Sequence, residues 1–408
     1  MTRLVTRSPH ESLAAFFSRY QPAGNAGEPA SVPELVGAIL NAARDIRASD
    51  VHLVPAEDGL HMSWRLDGVL LPVAQFDRRL AGNIVSRLKV LAELLTYKTD
   101  VPQEGRIRQA ESGVETRVST FPTLFGEKAV VRLFVASGQY RTLDELGLPH
   151  DIETVLRQLL DETGGVILVT GPAGSGKTTT LYACLRELAG REQHPRSLVT
   201  LEDPVEAVLP GVAQSPIRPA AGFDYQTGLR SLLRQDPDAI MVGEIRDRPT
   251  AEIVFQAALT GHLVLTTFHA GSAAEAVGRL LDMGIEPYQL RSGILAVINQ
   301  RLVRRLCDCA KPSADPADRL GLDVERLRLP AGCENCSGTG YRERIVLAEM
   351  LRPDAAGLGP AILSRGSSQE VERLAVESGM ISRHRRAADA VEAGQTSPAE
   401  VRRVLGFR

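Results

Sequence analysis

The feature that constrains this chain most is a short loop: Gly171, Pro172, Ala173, Gly174, Ser175, Gly176, Lys177 and Thr178. It is preceded by the apolar run 166–170, which has strand character, and followed from Thr179 to Leu188 by a stretch of helical character. Glycines let backbone wrap closely around an anion, so that successive N–H groups point inward and the start of the helix adds its partial positive charge. The order strand, glycine loop, helix is the setting that G-x-x-x-x-G-K-[ST] needs in order to hold phosphates. Residues 171 to 179 are therefore expected to bind ATP or GTP, with Lys177 reaching the β- and γ-phosphates and the Thr178 hydroxyl ligating Mg²⁺.

The 408 residues are enough for two or three domains, each with its own core. A net charge of −3 gives no support to a chain that coats nucleic acid, so no nucleic-acid partner is expected. The start has no apolar segment of signal-peptide length and nothing later approaches a membrane span, so the expected location is cytoplasmic, with membrane contact only through partners.

Residues 1–32 are rich in Pro, Gly and Ala and read as a flexible lead-in. Residues 33–135 mix helical and antiparallel-strand patterns, the mark of a small α+β domain, and 136–147 read as a linker. From 148 to 300 strands and helices alternate, with strands at 166–170, 198–201, 239–242 and 263–268. This predicts an α/β domain with a parallel sheet and its ligand at the carboxyl ends of the strands. Residues 301–345 hold four cysteines, and 346–408 read as helical, as does most of the chain beyond 285.

A phosphate loop binds a nucleotide, and hydrolysis needs more. The apolar run 239–242 leads to Glu244, placed at a strand end to orient and deprotonate the attacking water. The strand at 198–201 opens into Glu202 and Asp203, carboxylates able to hold Mg²⁺ directly or through its waters, with Glu206 nearby. His262 and His269 flank the strand 263–268 and are candidate sensors of the terminal phosphate.

In that order, the loop 171–179, Leu201 to Glu206, Val242 to Asp247 and Thr260 to His269 resemble the Walker A, Asp box, Walker B and His box of the secretion-superfamily ATPases, which drive type II secretion and type IV pilus assembly. The resemblance runs from about Pro33 to the C-terminus. It implies a RecA-like ATPase domain preceded by a PAS-like domain, assembled as a homo-hexamer that binds ATP and Mg²⁺. It also implies an inner-membrane platform protein and a membrane-anchored docking protein as partners, which would place the chain at the inner face of the cytoplasmic membrane. The segment 117–133 is similar to the one from which family members supply arginines to the nucleotide, and Arg117 and Arg132 are the matching positions. A guanidinium there neutralises charge on the transferred phosphoryl and contributes about 10³ to 10⁵ in rate. Alternatives are a nucleic-acid translocase with the same core, or a pilus-retraction motor.

Cys333 and Cys336 have C-x-x-C spacing, and Cys307 and Cys309 form a C-x-C pair upstream. Four thiolates can close a tetrahedral Zn²⁺ site; the other reading is four thiols without metal. Secretion and pilus-extension ATPases resemble this window with two C-x-x-C pairs, so the first pair departs from the family pattern.

Overall fold

The computed structural model describes residues 31–108, 115–133, 142–191 and 195–406. Of the lead-in 1–32 only residues 31 and 32 are among them, and of the linker 136–147 only 142–147. The described residues divide into two compact units: those within Met1–Ala136 with Cys307–Lys311 and Pro330–Glu343, and those within Ser137–Leu306 with Pro312–Leu329 and Arg344–Arg408.

In the first unit, strands β1 (Asp50–Ala56), β2 (Gly59–Leu66), β3 (Val69–Phe76), β4 (Gln103–Arg108), β5 (Glu115–Thr123) and β6 (Gly126–Leu133) form one sheet in the order β3-β2-β1-β6-β5-β4. The pairings within it are antiparallel. Alternation along the strands sends one face into a core: Val51, Leu53, Leu60, Met62, Trp64, Val118 and Val131 are buried there with Leu35, Ile39, Ile84 and Leu88 of helices α1 (Val32–Asp45) and α2 (Arg78–Leu91). The residues between them in sequence, including Asp50, Arg65, Arg117 and Arg132, face the other way.

The second unit is built on a sheet of order β15-β12-β7-β11-β10-β8-β9, from β7 (Gly165–Thr170), β8 (Leu198–Glu202), β9 (Ala213–Pro216), β10 (Ala239–Val242), β11 (Leu263–Phe268), β12 (Ile294–Leu306) and β15 (Tyr341–Leu351). The strands from β12 to β9 run parallel. Val166, Leu168, Ile240, Val242 and Val264 pack on one face against helices including Arg248–Leu259 and Ala273–Asp282. Ile167, Val169, Met241 and Leu265 pack on the other against His150–Leu159 and Lys177–Ala189. Burial on both faces is why these strands read as unbroken apolar runs.

The sequence reading of 285 onward as mostly helical is corrected by β12 and β15. The run from Ile294 to Ile298 is apolar at every position, a pattern that a doubly buried strand and a buried helix share, and the sheet takes it. Helices do close the chain, from Leu358 to Leu405. Between β12 and β15 lie the short strands β13 (Lys311–Ser313) and β14 (Leu327–Leu329), which pair. No helix among the described residues is long and apolar enough to cross a membrane.

Candidate nucleotide and metal sites

Parallel alignment of β8, β10, β11 and β7 brings their carboxyl ends to one edge, and the loops leaving that edge carry most of the sequence-predicted residues. After β7 the chain turns through Gly171 at φ 142° and enters the helix Lys177–Ala189 through Gly176 at φ 88°, both conformations that favour glycine. Space demands glycine as well: a Cβ on Gly171 would lie 2.5 Å from the Gln300 carbonyl oxygen. Lys177 is buried, and its Nζ donates to the carbonyls of Gly171 and Pro172, each at 3.0 Å. Burial lowers its pKa, opposed by the nearby charges of Glu244 and Glu206 and reinforced by Arg301. The Ser175 hydroxyl is buried with no hydrogen-bond partner among the described residues. An inward-facing amine, an orphaned hydroxyl and a helix start fit a phosphate group.

Glu244 follows β10 and is held from two sides: Arg246 Nε donates to its Oε1, and His269 Nε2 lies 3.4 Å from its Oε2. Arg246 also reaches Asp203 Oδ2 at 3.2 Å, joining the loops after β8 and β10. The hydroxyl of Tyr225 lies against Gly243, and burial, then the charge of Asp203, pushes its pKa up. Arg279 donates to the His269 carbonyl and lies over the Phe268 ring at 5.1 Å, which fixes the turn that presents His269. Thr178, half-buried one residue beyond Lys177, and Asp203 are the oxygen donors that would hold Mg²⁺.

Two expectations are corrected. Glu202 is 2% exposed, and its oxygens already accept from Tyr182 Oη, Thr200 Oγ1 at 2.5 Å and Gln214 Nε2 at 3.0 Å. It braces β8 against the phosphate-loop helix instead of presenting a carboxylate to a metal. Burial, and next the bond to Glu202, pushes the Tyr182 phenol well above its usual range, so it remains a donor. His262 precedes β11 at the end of the strand opposite to His269, and its Nδ1 faces the Ala257 carbonyl at 3.0 Å. It is not brought to the phosphate loop.

Sequence reasoning missed three consecutive residues of β12. Asn299 Nδ2 donates to Thr170 Oγ1 at 2.9 Å. Gln300 donates to the Ser175 carbonyl at 2.7 Å and accepts from Thr180 Oγ1 at 3.1 Å. Arg301 donates to the Gly271 carbonyl at 2.8 Å. Together they pin the phosphate loop and the turn after His269 to the neighbouring strand. The polar triplet that interrupts the apolar run was the signal available.

Arg117 and Arg132 lie in the first unit, directly opposed on β5 and β6, and Arg132 Nε donates to Asp50 at 3.1 Å.

The four sulfurs of Cys307, Cys309, Cys333 and Cys336 lie within 4.8 Å of one another. The separations are 3.7 Å for Cys307 and Cys333, 3.9 Å for Cys309 and Cys336, and 3.7 Å for Cys333 and Cys336. Zn–S bonds of about 2.3 Å set tetrahedral edges of about 3.8 Å, so the C-x-C pair is compatible with a four-thiolate ion site. Burial opposes ionisation of Cys336, but N–H donors from Cys333 at 3.1 Å and Gly340 at 3.2 Å outweigh it and hold the thiol down to about 7. Cys307 goes the other way: a backbone contact from Cys309 favours the thiolate, but burial and the neighbouring thiols carry it up to about 11. Cys184 is fully buried in the phosphate-loop helix, apart from this group.

The family described as Type II/IV secretion system protein matches residues 25–403. Type II secretion system protein E of Aeromonas hydrophila is 42% identical over 93% of this chain and 77% of its own. Type II secretion system ATPase E of Vibrio cholerae is 42% identical over 92% of this chain and 76% of its own. The type IV pilus assembly ATPase PilB of Thermus thermophilus is 38% identical over 82% of this chain and 38% of its own. Among solved structures, the Legionella pneumophila ATPase DotB superposes with a TM-score of 0.68 at 22% identity, covering 92% of this chain and 96% of that one, which shows a shared fold. The pilus retraction motor PilT, with bound ADP, gives a TM-score of 0.61 at 22% identity, over 89% and 94%. The chain belongs to the Type II/IV secretion system protein family.

Proposed function

We propose that this chain is an ATP-hydrolysing motor subunit that works as a homo-hexamer to power type II protein secretion or type IV pilus assembly. The observation that carries the reading is that the loops bearing Lys177 and Glu244 leave the same edge of one parallel sheet, the carboxylate held by Arg246 and His269. Loop N–H groups and Lys177 hold the triphosphate, and Glu244 orients water in line with the γ-phosphate and takes its proton. Thr178 and Asp203 would hold Mg²⁺, which would neutralise phosphate charge. His269, sharing Glu244, reports the state of the terminal phosphate to the turn that Arg279 and Arg301 hold. Arg117 and Arg132 supply positive charge to the transferred phosphoryl group.

The partners in this reading are a platform protein in the inner membrane and a membrane-anchored docking protein, with the chain itself at the cytoplasmic face. The four cysteines would hold a structural Zn²⁺, whose binding energy would become local folding energy. Glu244→Gln tests the reading. It keeps ATP binding and lowers turnover on the order of 10²-fold or more, the contribution of a positioned general base. Unchanged turnover rejects the assigned base, and stimulation of hydrolysis by added DNA favours a nucleic-acid translocase instead.

A further inference from the structure

The register of the first sheet sets five charged residues in one line across five strands. Arg65 opposes Asp50, Asp50 opposes Arg132, Arg132 opposes Arg117 and Arg117 opposes Arg106. Directly opposed residues share a face, so all five project from the side of the sheet away from the core. Four are arginines, and Asp50 is the single acid of the line. Its carboxylate is only 8% exposed because guanidinia cover it: Arg132 Nε donates to Oδ1 at 3.1 Å, Arg65 Nε lies 3.4 Å from Oδ2, and the Ser49 hydroxyl donates to Oδ2 at 2.9 Å. The Arg132 side chain is 63% exposed. Its bond to Asp50 runs through Nε, which leaves the Nη donors for another acceptor.

Like charges directly opposed across a sheet repel, and Arg132 faces Arg117 on the side away from Asp50. Repulsion from Arg117 therefore pushes the Arg132 guanidinium toward β1, where the buried carboxylate supplies the partner that fixes it. We propose that Asp50 is a positioning residue: through Nε it holds the Arg132 guanidinium in place, so that the Nη donors meet a phosphoryl group. This rests on the reading above in which Arg132 acts on the triphosphate. The buried acid and the exposed base suit such a division of labour, since the fixed carboxylate holds Nε while the exposed Nη donors stay open to an acceptor.

The test is a cycle in the full-length chain, reading ATP turnover and, separately, the Kd of a fluorescent non-hydrolysable ATP analogue. Asp50→Asn keeps the shape and removes the charge. It is expected to lower kcat about tenfold or more, because a misplacement of about 1 Å can cost on the order of 10²-fold. The analogue Kd stays within about twofold, because Lys177 and its loop are untouched. Asp50→Glu retains the charge and turns over at an intermediate rate. In an Arg132→Ala background, Asp50→Asn lowers kcat no further, since the group it positions is gone. A drop that is just as large without Arg132 marks a merely structural role and overturns the inference, as does normal kcat in Asp50→Asn. Should that variant not fold, Asp50→Glu carries the test: a kcat loss that disappears in Arg132→Ala supports the inference, and one that persists overturns it. Normal turnover by Arg132→Ala alone is a different failure: it rejects the role of Arg132 itself, and with it the reason for Asp50.

Discussion

Gln300→Met asks whether β12 holds the phosphate loop ready for nucleotide. Gln300 is 1% exposed, and its amide makes both bonds that matter: 2.7 Å to the Ser175 carbonyl and 3.1 Å from the Thr180 hydroxyl. Methionine keeps the length and bulk of the side chain and removes both bonds. At about 0.5–1.5 kcal/mol net for each, the bracing lost is about 1–3 kcal/mol. If that energy maintains the conformation able to bind, its loss lowers the competent fraction, and the apparent Kd rises in proportion. At tenfold per 1.4 kcal/mol the expected rise is roughly 5- to 150-fold. Titration with a fluorescent ATP analogue in the presence of Mg²⁺ reads it directly, with sedimentation confirming an unchanged assembly. Turnover at saturating ATP stays within about twofold, because Glu244, His269 and Arg246 hang from other strands. An unchanged Kd, or a fall in kcat at constant Kd, rules out this bracing role for Gln300.

The histidines separate by position. His262→Ala leaves kcat within about twofold, whereas His269→Ala, which removes the neighbour of Glu244, lowers it on the order of tenfold or more in a phosphate-release assay. For the metal, elemental analysis of the purified chain is expected to find one zinc per subunit, and Cys336→Ser to lose it. Chelation then lowers thermal stability in the wild type but not in that variant.

Much of the second unit was legible because its strands are buried on both faces and stand out as apolar runs. The loop 171–178 was readable for a different reason: glycine spacing encodes backbone geometry directly. Where reading failed, the missing information was long-range. Nothing near Glu202 announces that Tyr182 and Gln214 close over it, so an acid at a strand end passed for a metal ligand. Strand direction could have set His262 aside, since in a parallel sheet chemistry gathers at carboxyl ends and His262 precedes its strand. Asn299, Gln300 and Arg301 act on groups more than a hundred residues away or on a distant turn, which periodicity cannot show. The arginine line needs the register of five strands, and no spacing in the sequence carries it.

The most direct test of the central claim is a crystal structure of the chain with Mg²⁺ and a non-hydrolysable ATP analogue. The γ-phosphate is expected against Lys177 Nζ, released from the Gly171 and Pro172 carbonyls, with the Glu244 carboxylate facing that phosphate across one water. A triphosphate that lies away from Lys177, or a Glu244 side chain turned from the phosphate into the protein, contradicts it.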